Sequence, residues 1–102
     1  MICVIATIET AAGRRGDLVA VFRGLVSQVR AETGCLEYVP MIDAPSGLEA
    51  QGLVRENVVT VVEKWESLAA LEAHLKTPHM AEFRRQTEDL RRGISLQILQ
   101  PA

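Results

Sequence analysis

Apolar positions along the chain follow two rhythms. Residues 2–9, ICVIATIE, are rich in β-branched side chains and read as a strand, with Ile2, Val4, Ala6 and Ile8 on one face and Cys3, Ile5 and Thr7 on the other. Both faces are largely apolar. AAGRRGD turns the chain. From about Asp17 to Glu32 the period becomes helical: Leu18, Val21, Phe22, Leu25, Val26 and Val29 recur at three- and four-residue intervals, and Arg23, Gln28 and Arg30 lie mostly off that stripe. Thr33-Gly34 stops this helix, with Gly34 suited to the left-handed position after it.

Cys35 to Ile42, CLEYVPMI, reads as a second strand, and Pro40 inside it implies an edge or a bulge. A long connection follows from Asp43 to Asn57, with turn chemistry at Pro45-Ser46-Gly47; it serves either as a lid or as an arm across a dimer. Val58 to Trp65, VVTVVEKW, is the strongest strand pattern in the chain. Ser67 is a good N-cap for LAALEAHLK. Thr77 caps a second helical segment whose first position is Pro78, where the missing N–H costs nothing. Met80, Phe83, Thr87 and Leu90 form its inner side, Gly93 is expected to end it, and ISLQILQ is the last strand.

The order β-α-β-β-α-β, with the second helix broken at Thr77-Pro78, predicts a single α+β domain over residues 1–102 on the ferredoxin-like plan. Helices cover one face of such a sheet. Strands one and three are apolar on both, so the uncovered face predicts a homodimer with sheets packed face to face.

Composition narrows the partners. Hydrophobic residues make up 48% of the chain, which fits a globular domain. The net charge is −2 and no run of like charge exceeds two residues, which argues against nucleic acid. The apolar start MICVIATIE is short, lacks a basic leader and runs into acid, so it reads neither as a signal peptide nor as a membrane span. Cys3 and Cys35 fit no metal or CxxC spacing and read as small buried apolar groups, with reduced thiols in the cytoplasm. There is no glycine-rich nucleotide fingerprint.

The stretch Glu63-Lys-Trp65-Glu-Ser67-Leu-Ala-Ala70-Leu71-Glu-Ala-His74, followed by Thr77-Pro78-His79, resembles the antibiotic biosynthesis monooxygenase family, as does AETGCLEY from Ala31 to Tyr38. The resemblance spans almost the whole chain. It implies a dimeric α/β barrel of ferredoxin-like subunits, and members that oxidise phenols or quinols with dioxygen and no cofactor. Haem-degrading relatives carry an asparagine in the first strand and a histidine well along the second helical region. Here strand one offers Thr7, and Glu82–Leu90 holds no histidine, so the chain departs from that branch.

Direct reaction of a phenol with dioxygen needs a base near neutral pH, a flat wall for the ring and a donor for the developing oxyanion. His74 is the expected base or hydrogen-bond partner, and Trp65, the only tryptophan, the wall and N–H donor. Tyr38, Glu63 and His79 are expected to contact substrate. Tyr38 offers a phenolic O–H, Glu63 shares strand parity with Trp65 and either orients a ligand or pairs with an arginine, and His79 is expected near the surface. His74 is expected to be partly buried beside Trp65. No metal site is expected, because His74 and His79 are five residues apart across a Thr-Pro break rather than at i, i+4. Two further readings stay open on these residues: a non-catalytic or stress-linked dimer that only binds a small aromatic, and a non-oxygenase of isomerase type.

Overall fold

Alternation in the β-branched runs builds a four-stranded antiparallel sheet, and the computed structural model describes residues 1–102. Its elements are β1 (Ile2–Thr10), α1 (Arg15–Arg30), β2 (Cys35–Met41), β3 (Val58–Trp65), α2 (Leu68–Leu75), α3 (Pro78–Gln86) and β4 (Arg91–Leu99). The strands lie in the order β2-β3-β1-β4. This is the ferredoxin-like order with a broken second helix.

The barrel implied by the family resemblance is not what this chain forms. β2 pairs only with β3 and β4 only with β1, so the sheet is open with two free edges. Four strands are too few to curl shut around a packed interior, which takes about eight. Pro40 lies in the edge strand β2, where a missing N–H disturbs no ladder on the outer side.

The helices cover one sheet face. Leu18, Phe22, Leu25 and Val29 of α1 meet Val4, Ala6, Ile8, Val59 and Val61, and α2 and α3 add Leu71, Met80 and Phe83. Phe22 and Phe83 join the two helical layers at a ring separation of 4.6 Å. Each fully buried large side chain contributes about 1.5–3 kcal/mol. β4 escapes this cover. Ile94, Leu96 and Ile98 stand opposite Ile8, Ala6 and Val4 on the helix side, yet all three are exposed. On the far face, Ile5, Val62 and Val39 line up across three neighbouring strands.

Element ends depart from the periodicity in ways that matter. α1 starts at Arg15 and stops at Arg30, so Glu32 falls in the turn beyond it and not in the helix. α3 ends at Gln86. The Thr87 carbonyl accepts the amides of Leu90 and Arg91 at 2.9 and 3.1 Å, turning the chain straight into β4, so Gly93 lies inside that strand. Thr87 and Leu90 are buried as expected, but from this turn. Both cysteines are half-buried and free. The connection after β2 is clipped at its base by the Asp43–Arg55 ion pair at 2.8 Å. Leu53 is 93% exposed, so the loop does not close over its own chain as a lid.

Gly34 has a positive φ of 85°, and a Cβ there would meet the Ala70 Cβ at 2.7 Å. Its carbonyl also accepts the Glu66 amide at 2.8 Å. The turn after α1 is thus pressed against the start of α2. Gly34→Ala is expected to cost about 1–3 kcal/mol. Thermal unfolding checks this: the melting temperature should fall by about 4 °C or more for a chain of this size, and an unchanged value would refute the close-approach argument.

Candidate active site

Trp65 ends β3, and two residues later Ser67 opens α2, its hydroxyl accepting the Ala70 amide at 3.1 Å. A helix begun so close to the strand end must fold back over it. His74 thereby lands on Trp65, with ring centroids 4.7 Å apart and planes tilted by 34°. Tyr38 stands opposite Glu63 in the β2–β3 ladder and presents its ring to His74 at 5.7 Å, nearly edge-on. Trp65, His74, Tyr38 and Glu63 are all buried, and His74 at 2% exposure is more enclosed than its sequence position implies.

Glu63 does not pair with an arginine. Its Oε1 accepts the Trp65 indole N–H at 2.9 Å. The indole is therefore a wall whose donor is already engaged, a correction to the expectation that it would offer that N–H to substrate. Burial pushes the Glu63 carboxyl up to about 7, against the lowering effect of the indole bond and with a further upward push from Glu32. Burial likewise raises the Tyr38 phenol, reinforced by Glu63 and Glu32, so it stays a protonated donor. His74 is lowered, because burial outweighs its bond to Glu32. It rests as a neutral imidazole.

Glu32 was not anticipated from the sequence. Its Oε2 lies 2.8 Å from His74 Nδ1 and 2.7 Å from His79 Nε2. The signal in the sequence is an acid immediately before Thr33-Gly34, at the end of the helical period. The break at Thr77-Pro78 brings His79 back toward His74. Thr77 Oγ1 accepts the Met80 amide to start α3 and donates to the His74 carbonyl. The three donor atoms lie within 4.8 Å of one another, a set with metal-ligand chemistry that the five-residue spacing had argued against. The carboxylate oxygen itself sits between the two nitrogens.

His79 is the site residue that borders open space. A groove of about 750 Å³ runs between α1 and α3, with Val21, Leu25, Pro78, His79 and Phe83 among its walls. Trp65, His74 and Tyr38 do not line it. The expected common pocket is thus a packed cluster of rings, with His79 joined to it through Glu32.

The chain is thus an α+β protein with a four-stranded ferredoxin-like sheet and a histidine clasped between a strand-end tryptophan and a carboxylate. The family model described as "Antibiotic biosynthesis monooxygenase" matches residues 1–86. The chain belongs to the antibiotic biosynthesis monooxygenase family, and is an oxidoreductase. It is 38% identical over 103 residues to the "Probable quinol monooxygenase YgiN" of Escherichia coli K12, covering 99% of this chain and 98% of that protein. Among solved structures it resembles PA3566 from Pseudomonas aeruginosa, at 32% identity and a TM-score of 0.81, covering 99% of this chain and 93% of that one. Rv0793 from Mycobacterium tuberculosis follows at 26% identity and a TM-score of 0.78, with 99% and 94% covered. No helix here is long and apolar enough to cross a membrane.

The electrostatics of Glu63 generate a test. Its folded carboxyl is raised from 4.5 to about 7, so the folded state holds this proton more tightly than the unfolded chain does. The associated stability is fully present below pH 4.5 and is lost as pH rises through about 7. His74, lowered by burial, acts in the opposite sense: its contribution is lost as pH falls below 6.5. The comparison must therefore be with a variant. Relative to Glu63→Gln, the wild type should lose on the order of 3 kcal/mol between these limits. Chemical denaturation at a series of pH values reads this difference, and parallel curves for the two proteins would show that Glu63 titrates normally.

Proposed function

We propose that the protein is a monooxygenase of small electron-rich aromatics, quinols or phenols, that uses dioxygen and no bound cofactor. The observation that carries this reading is the neutral, buried His74, held at Nδ1 by a carboxylate and packed between Trp65 and Tyr38. It supplies a base beside a flat wall and a phenolic donor, shielded from water. The quinol monooxygenase name of the E. coli relative supports the substrate class.

In this reading His74 Nε2 takes the phenolic proton. The phenolate passes an electron to dioxygen, and the resulting superoxide joins the ring radical at a carbon bearing hydrogen. His74 returns its proton to the peroxide. Loss of water then breaks the O–O bond and leaves a carbonyl on the ring. One oxygen atom enters the product and the other leaves as water, with all four electrons coming from the substrate. Tyr38 donates to the oxyanion, Trp65 stacks on the ring, and Glu63 holds the indole in place. The substrate approaches from the groove beside His79, and the packed rings part to admit it.

The active species is a homodimer. Ile5, Val62 and Val39, each half-buried, form an apolar line on the sheet face away from the helices, and a second copy buries it. Light scattering should give twice the chain mass, and Val62→Arg should give monomer or aggregate; a wild-type monomer at micromolar concentration contradicts the dimer.

Oxygen uptake with a panel of hydroquinones tests the activity. Uptake should track substrate, and His74→Gln should lower kcat by about 10²–10⁴-fold per folded protein. Ligand binding should also perturb the emission of Trp65, the only tryptophan. Absence of uptake above background across the panel would sink the oxygenase reading.

A further inference from the structure

We infer that Glu32 and His79 are a positioning pair for the base, an inference that rests on the reading of His74 as that base. Glu32 fixes the His74 tautomer, and His79 fixes Glu32. The geometry is that of one sp² oxygen using both lone pairs. Glu32 Oε2 has His74 Nδ1 at 2.8 Å and His79 Nε2 at 2.7 Å. A carboxylate oxygen only accepts, so each facing nitrogen must carry a proton. In neutral His74 that leaves the lone pair on Nε2. The other tautomer would set a nitrogen lone pair against a carboxylate lone pair at hydrogen-bond distance.

The same bond occupies one of the two ring nitrogens of His79. Its Nε2 is committed to Glu32, and with 20% of its side chain exposed it closes the cluster on the groove side. Glu32 is itself only 11% exposed, and these two imidazoles are its side-chain partners. A carboxylate so enclosed needs donors to meet its oxygens. One imidazole would leave it free to swing about its side-chain torsions. Two imidazoles, one from α2 and one from α3, hold it at a single point. The pressing of Gly34 against Ala70 sets the height from which it reaches.

Histidine selectively labelled with ¹⁵N reads the claim without any turnover. In the wild type His74 should show its proton on Nδ1, and in Glu32→Gln the two tautomers should mix. With a quinol that the wild type oxidises, Glu32→Gln should lose about 10²-fold in kcat with KM little changed. His79→Gln keeps an N–H donor and should retain most of the activity, whereas His79→Phe should approach Glu32→Gln. An Nε2–H tautomer for His74 in the wild type overturns the inference, as does a Glu32→Gln protein with native tautomer and native kcat. If instead the tautomers behave as stated but no quinol is turned over, the positioning pair stands and the oxygenase reading falls.

Discussion

Glu32 Oε2 is the point on which three distant segments converge: the turn after α1, the body of α2 and the first turn of α3. A buried carboxylate is costly unless its lone pairs are filled. Here the requirement is met only if α2 ends where it does, if the chain breaks at Thr77-Pro78, and if the turn after α1 can lie against Ala70. Gly34 satisfies the last condition by having no side chain and a left-handed backbone. The helix hairpin is therefore held over the sheet by a polar contact as well as by the apolar layer beneath it. That contact also decides which way the His74 ring faces.

The second acid, Glu63, has different surroundings. Glu32 meets two imidazole nitrogens, at 2.8 and 2.7 Å. Glu63 meets a single indole N–H deep in the apolar layer and is pushed toward neutrality, in part by the Glu32 charge itself. The two carboxyl groups of the cluster thus differ in their partners: Glu32 faces imidazoles and Glu63 an indole. Glu32 acts on the imidazole. Glu63 holds the tryptophan ring over it at a tilt of 34°.

The open sheet explains why so small a chain has unfinished surfaces. Helices that shelter the His74 cluster sit over β2, β3 and β1, and leave the helix side of β4 bare, with Ile94, Leu96 and Ile98 uncovered. The opposite face is apolar through Ile5, Val62 and Val39. Enclosure of the site and exposure elsewhere are linked. In this chain the helical layer falls where the rings are and stops short of β4.

By itself the sequence determined the element order, the ferredoxin-like topology, the break at Thr77-Pro78 and the family. These follow from local rules: period two in β1 and β3, period 3.6 in α1, Ser67 and Thr77 as caps, and a motif from Glu63 to His79. It also brought forward Trp65, His74, Tyr38 and Glu63, because unusual side chains stand out in a chain that is 4% aromatic. Only the tertiary structure decided that the sheet stays open, that Trp65 donates to Glu63, that His79 faces Glu32, and that Glu32 belongs to the site at all. Each of these is a contact between residues remote in the chain or the pairing of a specific edge. Glu32 lies 42 positions from His74, and its Oε2 reaches Nδ1 at 2.8 Å. Periodicity reports which face a residue shares with its neighbours. It carries no information on which distant side chain a fold will set against that face, because that depends on where α1 ends, how closely Gly34 approaches α2, and which way the chain turns after Lys76.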